Sequence, residues 1–146
     1  VQTCALPILV TLIVGKKGAG KTKKLVDLAN EATKNASGNV VVVEVKTKLT
    51  LDISHEARLI SLEPYNVSGA EALYGFVAGI CAGNYDVQEI FVDSVLHILG
   101  NDAELAAFVE KIETLAKMAE TKVTFSVSMA EEELPEAVKS FATIVA

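Results

Sequence analysis

One segment, Gly15-Lys16-Lys17-Gly18-Ala19-Gly20-Lys21-Thr22, constrains the fold more than any other in the chain. It is preceded by Leu9 to Val14, an apolar and β-branched run that reads as a buried strand. It is followed by Lys21 to Lys34, where Leu25, Leu28, Ala29 and Ala32 recur at the spacing of one helix face. A strand, a glycine-rich turn and a helix in direct succession make a β–loop–α unit. Gly15, Gly18 and Gly20 permit backbone angles that bring successive N–H groups around one point. The helix aims its unpaired donors and the positive end of its dipole at the same place. The pattern G-x-x-x-x-G-K-[ST] then gives each position a task on a phosphate chain. Gly15, Lys16, Lys17, Gly18, Ala19 and Gly20 wrap the phosphates, Lys21 reaches the β- and γ-phosphates as the catalytic cation, and the Thr22 hydroxyl ligands Mg²⁺.

The remaining chain continues the alternation. Val40 to Val45 is an almost unbroken apolar run, as expected of a parallel strand covered on both faces. A short strand is expected around Arg58 to Leu62, ended by Pro64. Ser68 and Glu71 form a capping-box pattern opening a helix with Leu73, Phe76, Val77 and Ile80 on one face, which closes near Gly83-Asn84. Glu89 to Val92 reads as a strand running into Asp93, and Asn101 with Glu104 caps a long helix faced by Leu105, Phe108, Val109, Ile112, Leu115 and Ala116. Val123 to Ser128 alternates as a strand. Ser128 to Phe141 reads as a helix with Pro135 in its first turn and a solvated Glu131-Glu132-Glu133 start, and Thr143 to Ala146 as a last strand. Strands alternating with helices of this length predict an α/β domain, a mainly parallel sheet flanked by helices in three layers. It spans residues 9–146 as one domain, stopping at a strand as a truncated C-terminus would. Val1 to Ile8 matches the translation of a common sequencing-adapter end; it is read as non-native, with Val10 as the natural start.

Composition excludes several classes. The chain is 51% hydrophobic but has no run near the ~18–20 apolar residues of a membrane span, so no membrane association is expected. Cys4 and Cys81 have no metal-type or redox spacing, which fits a reducing, cytoplasmic setting. The net charge of −6 is unevenly spread. Residues 1–60 carry nine Lys/Arg against five Asp/Glu, while residues 61–146 carry four against fourteen. The cations gather at Lys16, Lys17, Lys21, Lys23 and Lys24. A local basic cluster on an acidic protein favours a small anion over directly bound nucleic acid.

The loop, the Ile90-Phe91-Val92-Asp93 strand end and the order of elements together resemble the P-loop NTPase superfamily over residues 9–146. Under that resemblance GKKGAGKT is the Walker A loop and Asp93, at the end of a Walker B strand, holds Mg²⁺ through water. No N-K-x-D motif follows Val123 to Ser128, so ATP is expected rather than GTP. The chain is similar to small stand-alone bacterial P-loop proteins, some of them labelled twitching-motility ATPases. It is too short for a secretion ATPase with a separate N-terminal domain, and in its expected architecture, more than in its residues, it distantly resembles thymidine-kinase-like cores. Lys16 resembles the signature lysine of the deviant Walker A partition ATPases, which reaches a partner's nucleotide. Lys17 departs from that family's glycine, and Ser94-Val95-Leu96 from its D-x-x-G. Many hydrolases of the additional-strand class place a water-activating Glu after the Walker B Asp, where this chain has Ser94, and Glu89 is at the wrong end of its strand.

The expectation is therefore ATP and Mg²⁺ binding with slow or partner-stimulated turnover. The alternatives are a small-molecule or nucleoside kinase and a non-hydrolysing, nucleotide-dependent assembly module, with an unknown protein or a second copy as partner. Ser126 or Ser128 could sense the γ-phosphate. Arg58, grouped with His55 and Asp52, is read as serving phosphate or as a surface ion pair with Glu56 or Glu63, and His97 as packed.

Overall fold

The computed structural model describes residues 8–145; Val1 to Pro7 and Ala146 lie outside it, and with them nearly all of the adapter-like segment and the end of the expected last strand. The strands are β1 (Val10–Gly15), β2 (Asn39–Glu44), β3 (Arg58–Ser61), β4 (Val87–Val92), β5 (Lys122–Ser128) and β6 (Thr143–Val145). The helices are α1 (Lys21–Asn35), α2 (Ala70–Gly83), α3 (Val95–Leu99), α4 (Leu105–Ala119) and α5 (Glu136–Phe141). The strands form one six-stranded, all-parallel sheet in the order β3-β2-β4-β5-β1-β6.

Two apolar clusters divide the sheet's faces. Ile13, Val40, Val42 and Phe91 pack against Leu25, Ala29 and Ala32 of α1, with Leu49 and Ile53 from the segment after β2 completing that layer. The opposite face is covered by α2, α4 and α5 through Leu73, Val77, Phe108, Ile112 and Val138, among others. The result is the expected three-layer α/β architecture. All six expected face residues of α4 are buried. Each of the larger ones contributes roughly 1.5–3 kcal/mol by leaving water and Ala116 less, and Phe108 adds a tilted ring contact to Phe125 with centroids 5.5 Å apart.

Four local expectations are corrected. Leu28 is 40% exposed, off the buried stripe of α1. The Ser68–Glu71 capping box does not form: Gly69, at φ +87°, takes the N-cap position with no side-chain cap, and its N–H donates to Ile98 O at 2.8 Å. A tertiary hydrogen bond thus fixes the entry to α2 in place of a local one. The single helix expected from Ser128 to Phe141 is broken into a 3₁₀ turn at Glu131–Glu133 and the short α5. Leu134 precedes Pro135 and is extended (φ −66°, ψ 138°), because the proline ring disfavours helical backbone before it. Finally, β5 does not alternate. Val123 to Val127 are all buried, since helices cover both faces of this central strand.

Candidate functional site

The register of the sheet aligns an unusual row of side chains. Ile13 pairs with Ser126 between β1 and β5, and Glu44 pairs with Ser61 between β2 and β3. Val43 pairs with Val92, and Val92 with Phe125. One residue further along each strand, the row reads Ser61, Glu44, Asp93, Ser126, Ile13. Side chains alternate between faces, so this row lies on the α1 side with Val42 and Phe91. Four polar residues therefore stand side by side at the C-terminal edge of the sheet, next to the apolar layer that holds Val42 and Phe91.

The centre of the row is tightly bonded. Ser126 Oγ donates to Asp93 Oδ1 at 2.6 Å and accepts the Ser94 N–H at 2.6 Å. Ser94 itself has left-handed backbone (φ +61°, ψ 49°), which turns the chain from β4 into α3. From the helix layer above, Thr22 Oγ1 donates to both Asp93 oxygens at 3.2 and 3.3 Å. The first residues of α1 thus reach across β5 to the end of β4. Thr22 and Asp93, paired on paper only by motif, are brought into contact.

The loop between β1 and α1 folds back on itself. Gly15 N–H donates to Met129 O at 2.9 Å, and Ala19 N–H to Lys16 O at 3.0 Å. A Cβ on Gly15 would come within 2.9 Å of Ala19 Cβ, so no larger residue fits without displacing the loop. Gly18 and Gly20 are at φ +89° and +88°, where a side chain is strained. Lys21 Nζ donates to Lys16 O at 3.1 Å, which bends the lysine over the loop. Gly20 is the N-cap of α1 but supplies no side-chain acceptor, and no acidic residue occupies the first turn.

This loop edges a cleft of about 720 Å³ whose lining includes Lys17, Lys21, Lys23, Lys46 and Lys48, with Asp93 as the one carboxylate among the described residues that line it. Ser94, His97, Ser126 and Ser128 complete its polar wall. Five lysines and an uncapped helix start make an anion-binding electrostatic environment. A smaller cavity of about 290 Å³ adjoins it, sharing Val45 and His97 and lined further by Leu62, Glu63, Asn66, Val67 and Ser68.

Sequence reasoning located the loop residues, Thr22, Asp93, Ser126 and Ser128 in this neighbourhood. His97, expected to be packed, is exposed and borders both cavities. Arg58 is not brought to the site. It starts β3 at the opposite, N-terminal edge of the sheet and is exposed. Neither Arg58 nor Glu56 nor Glu63 takes part in an ion pair among the described residues, and Asp52 is engaged only through its backbone, its carbonyl accepting Asn30 Nδ2–H at 2.9 Å. Lys16 is exposed.

Three residues were missed. Lys46 and Lys48 follow β2 and looked like ordinary loop cations. The third, Glu44, is only 3% exposed. Its Oε1 accepts the N–H groups of Lys48 (2.9 Å) and Leu49 (3.2 Å), whereas its Oε2 is buried without a hydrogen-bond partner among the described residues. The available signal was an acid ending a run of four valines, the same pattern as Val92-Asp93. No helix among the described residues is long and apolar enough to cross a membrane. No protein-family model matches this chain, and no curated protein matches it at a significant level.

Proposed function

We propose that this chain binds ATP with Mg²⁺ at the Gly15–Thr22 loop, as a P-loop protein of the cytoplasm, and that it acts as a slow or partner-stimulated nucleotide switch. The observation that carries this reading is the start of α1. A helix leaves its first N–H groups without internal acceptors, and proteins ordinarily supply a capping side chain. Here Gly20 supplies none, no acid offsets the dipole, and lysines crowd the cleft beside it. Donors left open at a cationic cleft suit a polyphosphate, and about 720 Å³ lies within the range of small-molecule sites.

The metal fits the residues present. Mg²⁺ takes hard oxygen ligands and commonly keeps several waters, relying on one or two protein groups and the phosphates. Thr22 Oγ1 and the Asp93 carboxylate offer two neighbouring oxygens, and Ser126 orients one carboxylate oxygen from behind. Among the described residues no cluster of three or more His, Cys, Asp or Glu side chains exists to hold a metal alone, so the phosphates would have to complete the shell. When bound, Mg²⁺ would neutralise charge on the phosphate oxygens.

The test is titration of Mg·ATP into wild type and Lys21→Ala. Loss of a charge-assisted contact should weaken binding about 100-fold; unchanged affinity would reject the reading. A second reading, phosphoryl transfer to a small acceptor, is favoured by the adjoining cavity behind His97. A switch releases phosphate from ATP without any acceptor, while a kinase turns over only when an acceptor is added.

A further inference from the structure

We propose that the cavity of about 290 Å³ beside the lysine cleft binds a small amine with a compact aliphatic body, and that nucleotide in the cleft strengthens this binding. The first half stands on the cavity alone; the second rests on the ATP reading above and deepens it, by naming what adjoins the nucleotide. Glu63, Asn66, Ser68 and His97 line the cavity, and none of their side chains makes a hydrogen bond or ion pair among the described residues. Ser68 is the clearest case. Its hydroxyl is released from helix capping because Gly69 takes the N-cap of α2.

The walls are tied together by the chain itself. Leu62 N–H donates to Glu44 O at 2.8 Å and Glu63 N–H to Val45 O at 3.1 Å, which carries the pairing of β2 past the end of β3. Asn66 then turns the chain in left-handed backbone (φ +54°), a conformation that asparagine adopts more readily than most residues. The bond from Gly69 N–H to Ile98 O closes the far side onto α3. Leu62 and Ile98, both buried, give the cavity an apolar wall. An apolar wall with a few polar groups on a fixed frame is the usual make-up of a small-molecule site, and the volume is close to the lower end of the ~300–1,000 Å³ such sites span.

Charge selects the occupant. Among the described residues that line this cavity, Glu63 is the one carboxylate, and there is no lysine or arginine. The neighbouring cleft is the reverse, with five lysines against Asp93. The two share Val45 and His97, so a molecule in the smaller cavity lies next to the contents of the larger. An ammonium group is drawn to Glu63 but repelled by the lysines. A polyphosphate in the cleft cancels that repulsion and adds an attraction of its own. Amine and nucleotide therefore bind with positive coupling, and linkage makes it reciprocal: each tightens the other by the same factor. A carboxylate ligand has the opposite sign of coupling, and an uncharged one has none. Glu63 is exposed, so its pull on the ammonium is modest, and the apolar wall supplies the rest of the affinity.

The experiment titrates cyclohexylamine, cyclohexanol and cyclohexanecarboxylate, three probes of nearly one shape, into the isotope-labelled full chain, with and without Mg·ATP. Affinities are read from the amide resonances of Val67, Ser68 and Ile98. The amine should move these resonances, and Glu63→Gln, at an exposed position where folding is not at stake, should weaken it about threefold while leaving cyclohexanol unchanged. Mg·ATP should tighten the amine about fivefold, loosen the carboxylate and leave the alcohol as it was. No response to the amine at these three residues, an equal loss of amine and alcohol in Glu63→Gln, or the same sign of coupling for amine and carboxylate overturns the proposal. Failure of wild type to bind Mg·ATP would instead overturn the reading beneath it, while the Glu63→Gln comparison still decides whether the cavity takes amines.

Discussion

The ends of β2 and β4 make an instructive pair. Each strand has an apolar stretch, Val40 to Val43 on β2 and Ile90 to Val92 on β4, followed at once by a carboxylate on the α1 side. Asp93 is surrounded by partners fixed in secondary structure, Ser126 on β5 and Thr22 on α1. Among the described residues Glu44 is held only by backbone groups of a turn, and its Oε2 has no hydrogen-bond partner. A charge bonded to strands and helices is pre-organised and stays put. A charge bonded to a turn is conditional on that turn. The difference separates a group suited to holding something from a group suited to being switched.

Three changes would break or sharpen this contrast, in descending order of effect. If Asp93 is the holder, Asp93→Asn should keep the Ser126 bond yet weaken Mg²⁺-dependent ATP binding by about 10–100-fold; ATP titrations with and without Mg²⁺ read it, and an unchanged metal dependence would move the metal elsewhere. Ser126→Ala leaves the Ser94 N–H and Asp93 Oδ1 each short of a partner. It should cost about 1–3 kcal/mol in denaturant unfolding, and a neutral result would mean that Asp93 is less fixed than its bonds imply. Glu89 serves as a control, a carboxylate near the foot of β4. Burial pushes its pKa up, and Lys122 opposes the shift only in part. A raised folded-state pKa means that Glu89 adds stability below its unfolded pKa and loses that contribution as pH climbs through the folded value. Glu89→Gln should therefore stabilise at neutral pH and not near pH 4. Because the side chain is half-buried, the gain should be under about 1 kcal/mol, compared by Tm at the two pH values.

How much of this was legible in sequence follows from the range of the signals. The loop, α1 and α4 announce themselves through local spacing, and the strand–loop–helix unit fixes Gly15 to Thr22 without knowledge of neighbours. The helix entry at Gly69 was misread because Ile98, far along the chain, supplies the acceptor. Lys46 and Lys48 were invisible for the same reason, and Glu44 carried only the weak signal of an acid closing a valine run. Their meaning depends on which strands are adjacent and in what register, and the insertion of β5 between β1 and β4 cannot be read from spacing. Ser126 was flagged as polar at a strand end, but its bond to Asp93 required the sheet order.

The polar row across the sheet also bears on how the sheet assembles. A slip of one residue in β4 would turn Asp93 toward the side packed by α2 and α4 and strand a carboxylate among aliphatic carbons; the same holds for Glu44 on β2. Only one alignment lets all four polar residues share an edge that a helix start and a turn can reach. Misaligned sheets of this sequence are thus penalised by the very side chains that would serve a ligand, so strand pairing and site formation are a single event in folding.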